Sequence, residues 1–397
     1  MSRRLVMTFA AFALGASCGV PPGGSDGGGD SGLDASSAAD ASVFVPTERR
    51  PLGLNDVTYF LPLEQLDAST PFPPASTILP LGTFTRLTEA QPVVRTDLSR
   101  LRVLAVRVDA CDRSDTNPCA SDAVGSMRLV LQPVFGTPAN VEDVTFHAFF
   151  PIPRAEMPEV VDTLRALGAM QNIARGAPLQ ISTAFRSDPT FRSRLGALVA
   201  RYAQSQRLNR LTLFGQESER AAIVWIFRGE ELPTGGGTVL GPISIPSIAM
   251  PQQEVLLFGG DSYQVTPVAD EPVGFARVVM EPMFRAGTSS QQLDGVRALL
   301  AVDNPSLHSA NSAQCVSCHV ATTLVPLRSG DAGIDVTMLT ERYSSAMFDL
   351  TPLGSVGRAR TLRALGYFGS NPLVSQRVVN ETANVVGALE AMYPPPP

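Results

Sequence analysis

Lysine is absent from this chain: all 31 basic residues are arginine, which fits a GC-rich coding bias and carries no mechanism by itself. Histidine is nearly as scarce, with 3 in 397 residues. So little histidine leaves almost no material for a serine-type triad or related nucleophilic catalysis. Positive charge is not in excess either. The net charge of −6 leaves no basic patch, which excludes nucleic acid as a partner. Long apolar runs are missing too. The stretch from Leu5 to Leu14 is about half the length that spans a bilayer.

What is present begins with an export pattern. Arg3 and Arg4 form a positive n-region, Leu5 to Leu14 an apolar h-region, and Gly15, Ala16 and Ser17 lead to Cys18. This resembles a bacterial lipoprotein signal, which implies cleavage before Cys18 and lipidation of its thiol. Leu14 stands four residues before the cysteine, where the usual box has three. Residues 19–45 are rich in Gly, Ser, Asp and Ala and read as a flexible tether. Gly15 to Gly19 also matches the G-x-S-x-G of hydrolases, but no folded strand precedes it and the match is fortuitous.

A hydrophobic content of 44% and a charged content of 17% describe a globular protein with a real core, and the length suggests two domains. From Pro46 to Pro92 eight prolines disfavour helix, so an extended segment is expected, with an edge strand near Val57 to Leu63. Alternation predicts strands over 98–110, with a register shift near Val106, and over 127–135, 141–150, 210–214, 221–227, 239–248, 254–258 and 275–280. Apolar spacing of three and four predicts helices over 155–170 and 189–202. Strands, helices, then strands give an α+β domain over 46–290, mainly antiparallel, with both helices on one sheet face. Gly235 to Gly237 lack any phosphate-binding fingerprint and read as a hairpin turn.

Cys111 and Cys119 flank a polar segment and are expected to form a disulfide in an exported protein. Asp109, Asp112, Asp115, Asn117 and Asp122 offer a calcium site instead, without helix–loop–helix spacing. His147, inside Thr145-Phe146-His147-Ala148-Phe149, reads as a sheet-face or core residue rather than a ligand.

The chemistry is concentrated in Cys315-Val316-Ser317-Cys318-His319. This is C-x-x-C-H, the attachment signature of a covalent c-type haem. Each thiol can add across one haem vinyl group, and the histidine then lies under the iron as axial ligand. Random placement of 5 cysteines and 3 histidines produces the pattern in about 1 chain in 2,000. A Cys315–Cys318 disulfide, a zinc site and a degenerate haem motif are the other uses of these residues. Candidates for the sixth iron ligand are Met347, Met338 and His308. For each methionine the alternative is ordinary core packing.

Helical patterns over 291–302 and 375–392 flank the motif. In outline, residues 291 to 393 resemble a small class I cytochrome c: a helix, the C-x-x-C-H, a looped pocket and a closing helix. In that family the motif ends the first helix, whereas here Val302 and Cys315 are well separated. The whole chain also resembles single-haem-motif lipoproteins of delta-proteobacterial (myxobacterial) type. That resemblance rests on the signal, Asp109-Ala110-Cys111, Asn304-Pro305 to His319, Gly366-Tyr367-Phe368-Gly369, and Ser375 through Thr382.

Together these imply a mostly helical, cytochrome c-like haem segment over 291–397 after the α+β domain. The expected function is an exported monohaem carrier of electrons, outer-membrane or periplasmic and anchored by lipid, with an unidentified redox partner protein. The alternative is a non-redox surface lipoprotein with a Cys315–Cys318 disulfide. A di-haem peroxidase needs two such motifs and this chain has one, so an electron carrier is favoured over a catalyst.

Overall fold

The computed structural model describes residues 50–65, 72–89, 97–111, 124–136, 139–217, 223–233, 238–245, 250–257, 263–267, 274–309, 312–354, 362 and 364–395. The signal, Cys18, the tether and Cys119 lie outside them, as do Asp112, Asp115, Asn117, Asp122 and the three glycines at 235–237. The described residues belong to one compact unit, residues 46–397.

The fold is α+β. Its main sheet contains β1 (Thr58–Phe60), β2 (Leu101–Asp109), β3 (Gly125–Phe135), β4 (Asn140–Val141), β5 (Val144–Ile152), β6 (Arg210–Glu217), β7 (Ile223–Glu231), β8 (Gly241–Pro242), β9 (Gln252–Leu257) and β10 (Tyr263–Thr266). The order is β1-β2-β3-β5-β6-β7-β9-β10, with β4 on β3 and β8 on β7. Neighbouring strands pair antiparallel. The register shift expected in β2 lies between Val103 and Ala105.

Alternation along β5 separates the two faces. Phe146, Ala148, Phe150 and Ile152 are buried, while His147, Phe149 and Pro151 are half-buried. The Phe146 side joins Leu129, Leu131, Leu211 and Leu213 in one apolar cluster with α3 (Leu81–Glu89), α4 (Met157–Gln171) and α6 (Pro189–Tyr202). Phe84 packs 5.3 Å from Phe146, and Phe191 packs 5.8 Å from Tyr59. α6 starts where Asp188 accepts from Thr190 N and Phe191 N and Pro189, lacking an N–H, leaves no donor unpaired.

The opposite face carries Phe214, Trp225, Phe227 and Val255, an apolar surface that must be covered. Its cover comes from α7 (Phe275–Val279), α9 (Ser289–Asp303) and α10 (Cys315–Ala332), through Val278, Val296, Leu299, Val316, Val320 and Leu324. Farther along this side, α11 (Gln376–Met392) meets β1 and β2, where Thr382 Oγ1 lies 3.2 Å from Thr58 Oγ1. The segment expected beyond residue 290 therefore packs as the second layer of the sheet, inside the same unit. No helix among the described residues is long and apolar enough to cross a membrane.

Several elements differ from the sequence reading. Residues 275–279 are helical: the β-branched run Val278-Val279 suggests a strand, but Phe275, Val278 and Val279 fall on one helical face and are buried. Helices also occur between the early prolines, at α3 and at α2 (Ala75–Ile78), because residues 81–89 contain no proline and Pro80 only precedes them. Further short helices are α1 (Leu54–Val57), which leads into β1, α5 (Thr183–Ser187) and α8 (Glu281–Arg285). Of the strand expected over 239–248, the described residues show β8 and an isolated bridge between Ile245 and Met250. The looped pocket expected after the motif begins instead with a helix of 18 residues, α10, and ends with a hairpin, β11 (Leu365–Phe368) and β12 (Asn371–Val374).

Candidate functional site

The C-x-x-C-H opens α10, whereas in class I cytochromes c it ends a helix. A helix start leaves backbone N–H groups without partners. Here the remedy comes from the sheet: Gln253 of β9 accepts from Val316 N at 3.1 Å through Oε1 and donates to Gln314 Oε1 at 2.5 Å through Nε2. Both side chains are fully buried.

Helical spacing places Cys315, Cys318 and His319 on one face. All three are half-buried, while Val316, Ser317 and Val320 are buried. Both cysteines are free thiols, unlike the disulfide of the alternative reading. Burial pushes Cys315 up to about 11 and Cys318 up to about 12, so both remain protonated at neutral pH. That differs from dithiol redox motifs, which depend on an accessible thiolate.

The His319 ring is held on three sides. It stacks on Phe214 with centroids 4.7 Å apart and meets Phe227 edge-on at 4.8 Å. Its Nδ1 donates to the backbone oxygen of Leu362. Burial pushes the ring down to about 4, against a smaller upward effect of that hydrogen bond, so it is neutral at pH 7. A neutral imidazole that donates from Nδ1 keeps its lone pair on Nε2. Among the described residues no hydrogen bond reaches Nε2.

The hairpin that follows Leu362 is anchored at several points. Ser375 N donates to Ala364 O at 2.8 Å. In the hairpin, Gln132 of β3 accepts from Tyr367 N at 2.7 Å and donates to Tyr367 O at 3.0 Å. The Tyr367 hydroxyl donates to Leu61 O at 2.7 Å.

α11 ties the other side of the motif. Arg377 donates to the carbonyls of Val302 and His308, each at 2.6 Å, and to Glu381 at 2.7 Å. Asn380 donates to Asp303 O at 2.8 Å, so α11 satisfies the carbonyls that end α9. Glu381 also accepts from Arg107 at 3.0 Å. Burial alone would raise the Glu381 carboxyl, but Arg377, Arg107 and Arg128 together hold it well below the usual range.

The other predicted residues are dispersed. Met338 is 79% exposed and Met347 54% exposed. The backbone of Met347 lies against Gly176, and Phe348 beside it joins the cluster on the far sheet face. His308 is half-buried, with its carbonyl held by Arg377. Cys111 is disulfide-bonded. Asp109, offered as a calcium ligand, is paired with Arg107 at 2.6 Å and Arg128 at 3.4 Å. Among the described residues no group of three or more His, Cys, Asp or Glu side chains is placed to hold a bare metal ion.

Sequence reasoning did not find Gln253, Phe214, Leu362 or Arg377, since nothing in a one-dimensional pattern ties them to residue 319. His147 had a signal: alternation in β5 places it opposite Phe146 and Ala148, on the same sheet face as Phe214. Comparison of the chain with protein-family models, with curated proteins and with solved structures finds no match to any of them.

Proposed function

We propose that this chain is an exported, lipid-anchored monohaem c-type cytochrome that passes electrons outside the cytoplasm. Cys315 and Cys318 hold the haem by thioether bonds, and His319 is the axial ligand. The observation that carries the reading is the hydrogen bond from His319 Nδ1 to Leu362 O. Axial histidines need Nδ1 protonated and oriented by a backbone or carboxylate acceptor so that Nε2 is free to bind. A disulfide use of the cysteines requires no such arrangement.

The residues fit the group. Two free thiols stand one helical turn apart on the same face as the imidazole, and that face is only half-buried. When bound, the haem iron supplies a one-electron couple whose potential depends on ligands and burial. The protein's part is to fix the imidazole between Phe214, Phe227 and Leu362, to keep that ring neutral, and to hold the start of α10 through Gln253. Export supports the reading, since c-type haem is attached outside the cytoplasm and the sequence carries a lipoprotein-like signal.

The test is expression with the native signal in a host carrying haem-attachment machinery, followed by a denaturing gel stained for haem peroxidase activity. A stained band that disappears in Cys315→Ala/Cys318→Ala is expected. Mature, folded protein without a stained band overturns the proposal.

A further inference from the structure

The sheet face beside α10 holds a second histidine. In the ladder His147 lies opposite Val130 on β3 and Thr212 on β6. Opposed residues share a face, as do residues two apart along a strand. The row with His147 is therefore flanked on the same face by two others. One holds Thr145, Phe214 and Phe227, and the second holds Arg128, Phe149 and Arg210. His319 rests on Phe214 and Phe227, one row from His147.

The sheet face beside α10 and α11 is incompletely covered. β5 is a central strand with β3 and β6 on either side, yet His147, Phe149 and Thr212 are only half-buried, as are Cys315, Cys318 and His319. Side chains in the middle of a wide sheet stay accessible only where nothing packs on them. Among the described residues no group hydrogen-bonds the His147 ring. Burial, then Arg128 and His319, push that ring down to about 3, so it is neutral with a free lone pair.

Positive charge borders the same space. The Arg128 and Arg210 guanidinium carbons lie 4.8 Å and 5.8 Å from the Phe149 ring centroid. Arg128 is loosely paired, 3.4 Å from Asp109 and 3.9 Å from Glu381. Arg210 pairs with Glu231 at 2.8 Å. A neutral imidazole, an aromatic floor and two guanidinium groups suit a flat, apolar ligand that bears carboxylates on one edge and a metal at its centre.

We infer that His147 is the second axial ligand of the iron whose first ligand is His319, and that Arg128 and Arg210 receive the propionates. This rests on the haem reading above and adds to it a bis-histidine ligand set. It displaces Met338, Met347 and His308 as sixth ligand. Two imidazoles give a lower potential than an imidazole with a thioether.

The experiment compares oxidised absorption and electron paramagnetic resonance spectra of the full chain and of single variants, with circular dichroism as the check on folding. In His147→Ala the low-spin signal is expected to convert to high-spin, and added imidazole to restore it. In His147→Met the low-spin state is expected to persist with a new far-red sulfur-to-iron band and a raised midpoint potential. Met338→Ala, Met347→Ala and His308→Ala are expected to match the parent. A folded His147→Ala or His147→Met with the parent's spectrum overturns the assignment, as does loss of low spin in any of the other three. Absence of covalent haem from the parent chain itself defeats the haem reading instead, so the two failures are distinguishable.

Discussion

Gln253 accepts a hydrogen bond from the backbone N–H of Val316 at 3.1 Å, joining the start of β9 to the first turn of α10. A side chain 63 residues away thus caps the helix that the C-x-x-C-H begins. Helix-capping side chains contribute about 1 kcal/mol, and a buried amide left unpaired costs about 1–3 kcal/mol. Gln253→Ala is expected to destabilise the protein by about 1–3 kcal/mol in urea unfolding. Unchanged stability would show that the cap is dispensable.

Arg377 joins α11 to the end of α9 and neutralises Glu381. Removing Arg377 leaves the buried Val302 carbonyl unpaired and Glu381 with Arg107 as its remaining hydrogen-bonded guanidinium, at a cost of about 1–3 kcal/mol. Arg377→Met is expected to lower the unfolding free energy by that amount, and the further change Glu381→Gln to recover part of it. A double variant no better than the single one would contradict the pairing.

Much of this architecture is legible in the sequence, and the physical reasons for the rest are specific. Helices α4, α6, α9 and α11 show apolar residues at three- and four-residue spacing because each buries one stripe. Strand β5 alternates because its two faces meet different surroundings. α10 escapes notice because its start is occupied by Cys, Ser and His and its interior holds Pro326, a residue that usually breaks helices. The short α7 reads as a strand because two adjacent valines satisfy either period. The site is half legible: Cys315, Cys318 and His319 are a motif, but Leu362 and Gln253 reach them only through tertiary packing. His147 reads as a sheet-face or core residue because the sequence does not show which elements cover its face of β5.

Asp303 governs part of the pH dependence. Its side chain is buried and accepts from the Thr322 hydroxyl at 3.1 Å. Burial pushes its carboxyl up to about 7, above the ordinary value of 3.8, despite smaller opposing effects of Thr322 and Arg377. Between those values the folded chain binds a proton that the unfolded chain does not, so this group's contribution falls as pH rises from about 4 to about 7. The slope approaches about 1.4 kcal/mol per pH unit. Asp303→Asn is expected to remove that slope, leaving the variant relatively more stable at pH 8 than at pH 4. Parallel pH profiles of unfolding free energy for the parent and variant would contradict this.

Gly366 permits the hairpin contact that leads to Leu362. Its φ is +147°, and a Cβ placed there would lie 2.4 Å from Gln132 Oε1, the atom that accepts from Tyr367 N. Gly366→Ala combines backbone strain of about 1–3 kcal/mol with loss of that bond. The expected results are destabilisation of that order and faster amide exchange at Tyr367. An unaltered exchange rate would count against the role given to the hairpin.

The central claim is that Cys315 and Cys318 carry a covalent haem. The most direct measurement is intact mass spectrometry of the mature, denatured chain, made in a host with attachment machinery, together with its pyridine haemochrome spectrum. The account predicts a gain of one haem's mass and a haemochrome of the type in which both vinyl groups are saturated, with neither in Cys315→Ala/Cys318→Ala. A folded chain at its haem-free mass, with or without a Cys315–Cys318 disulfide, would contradict it.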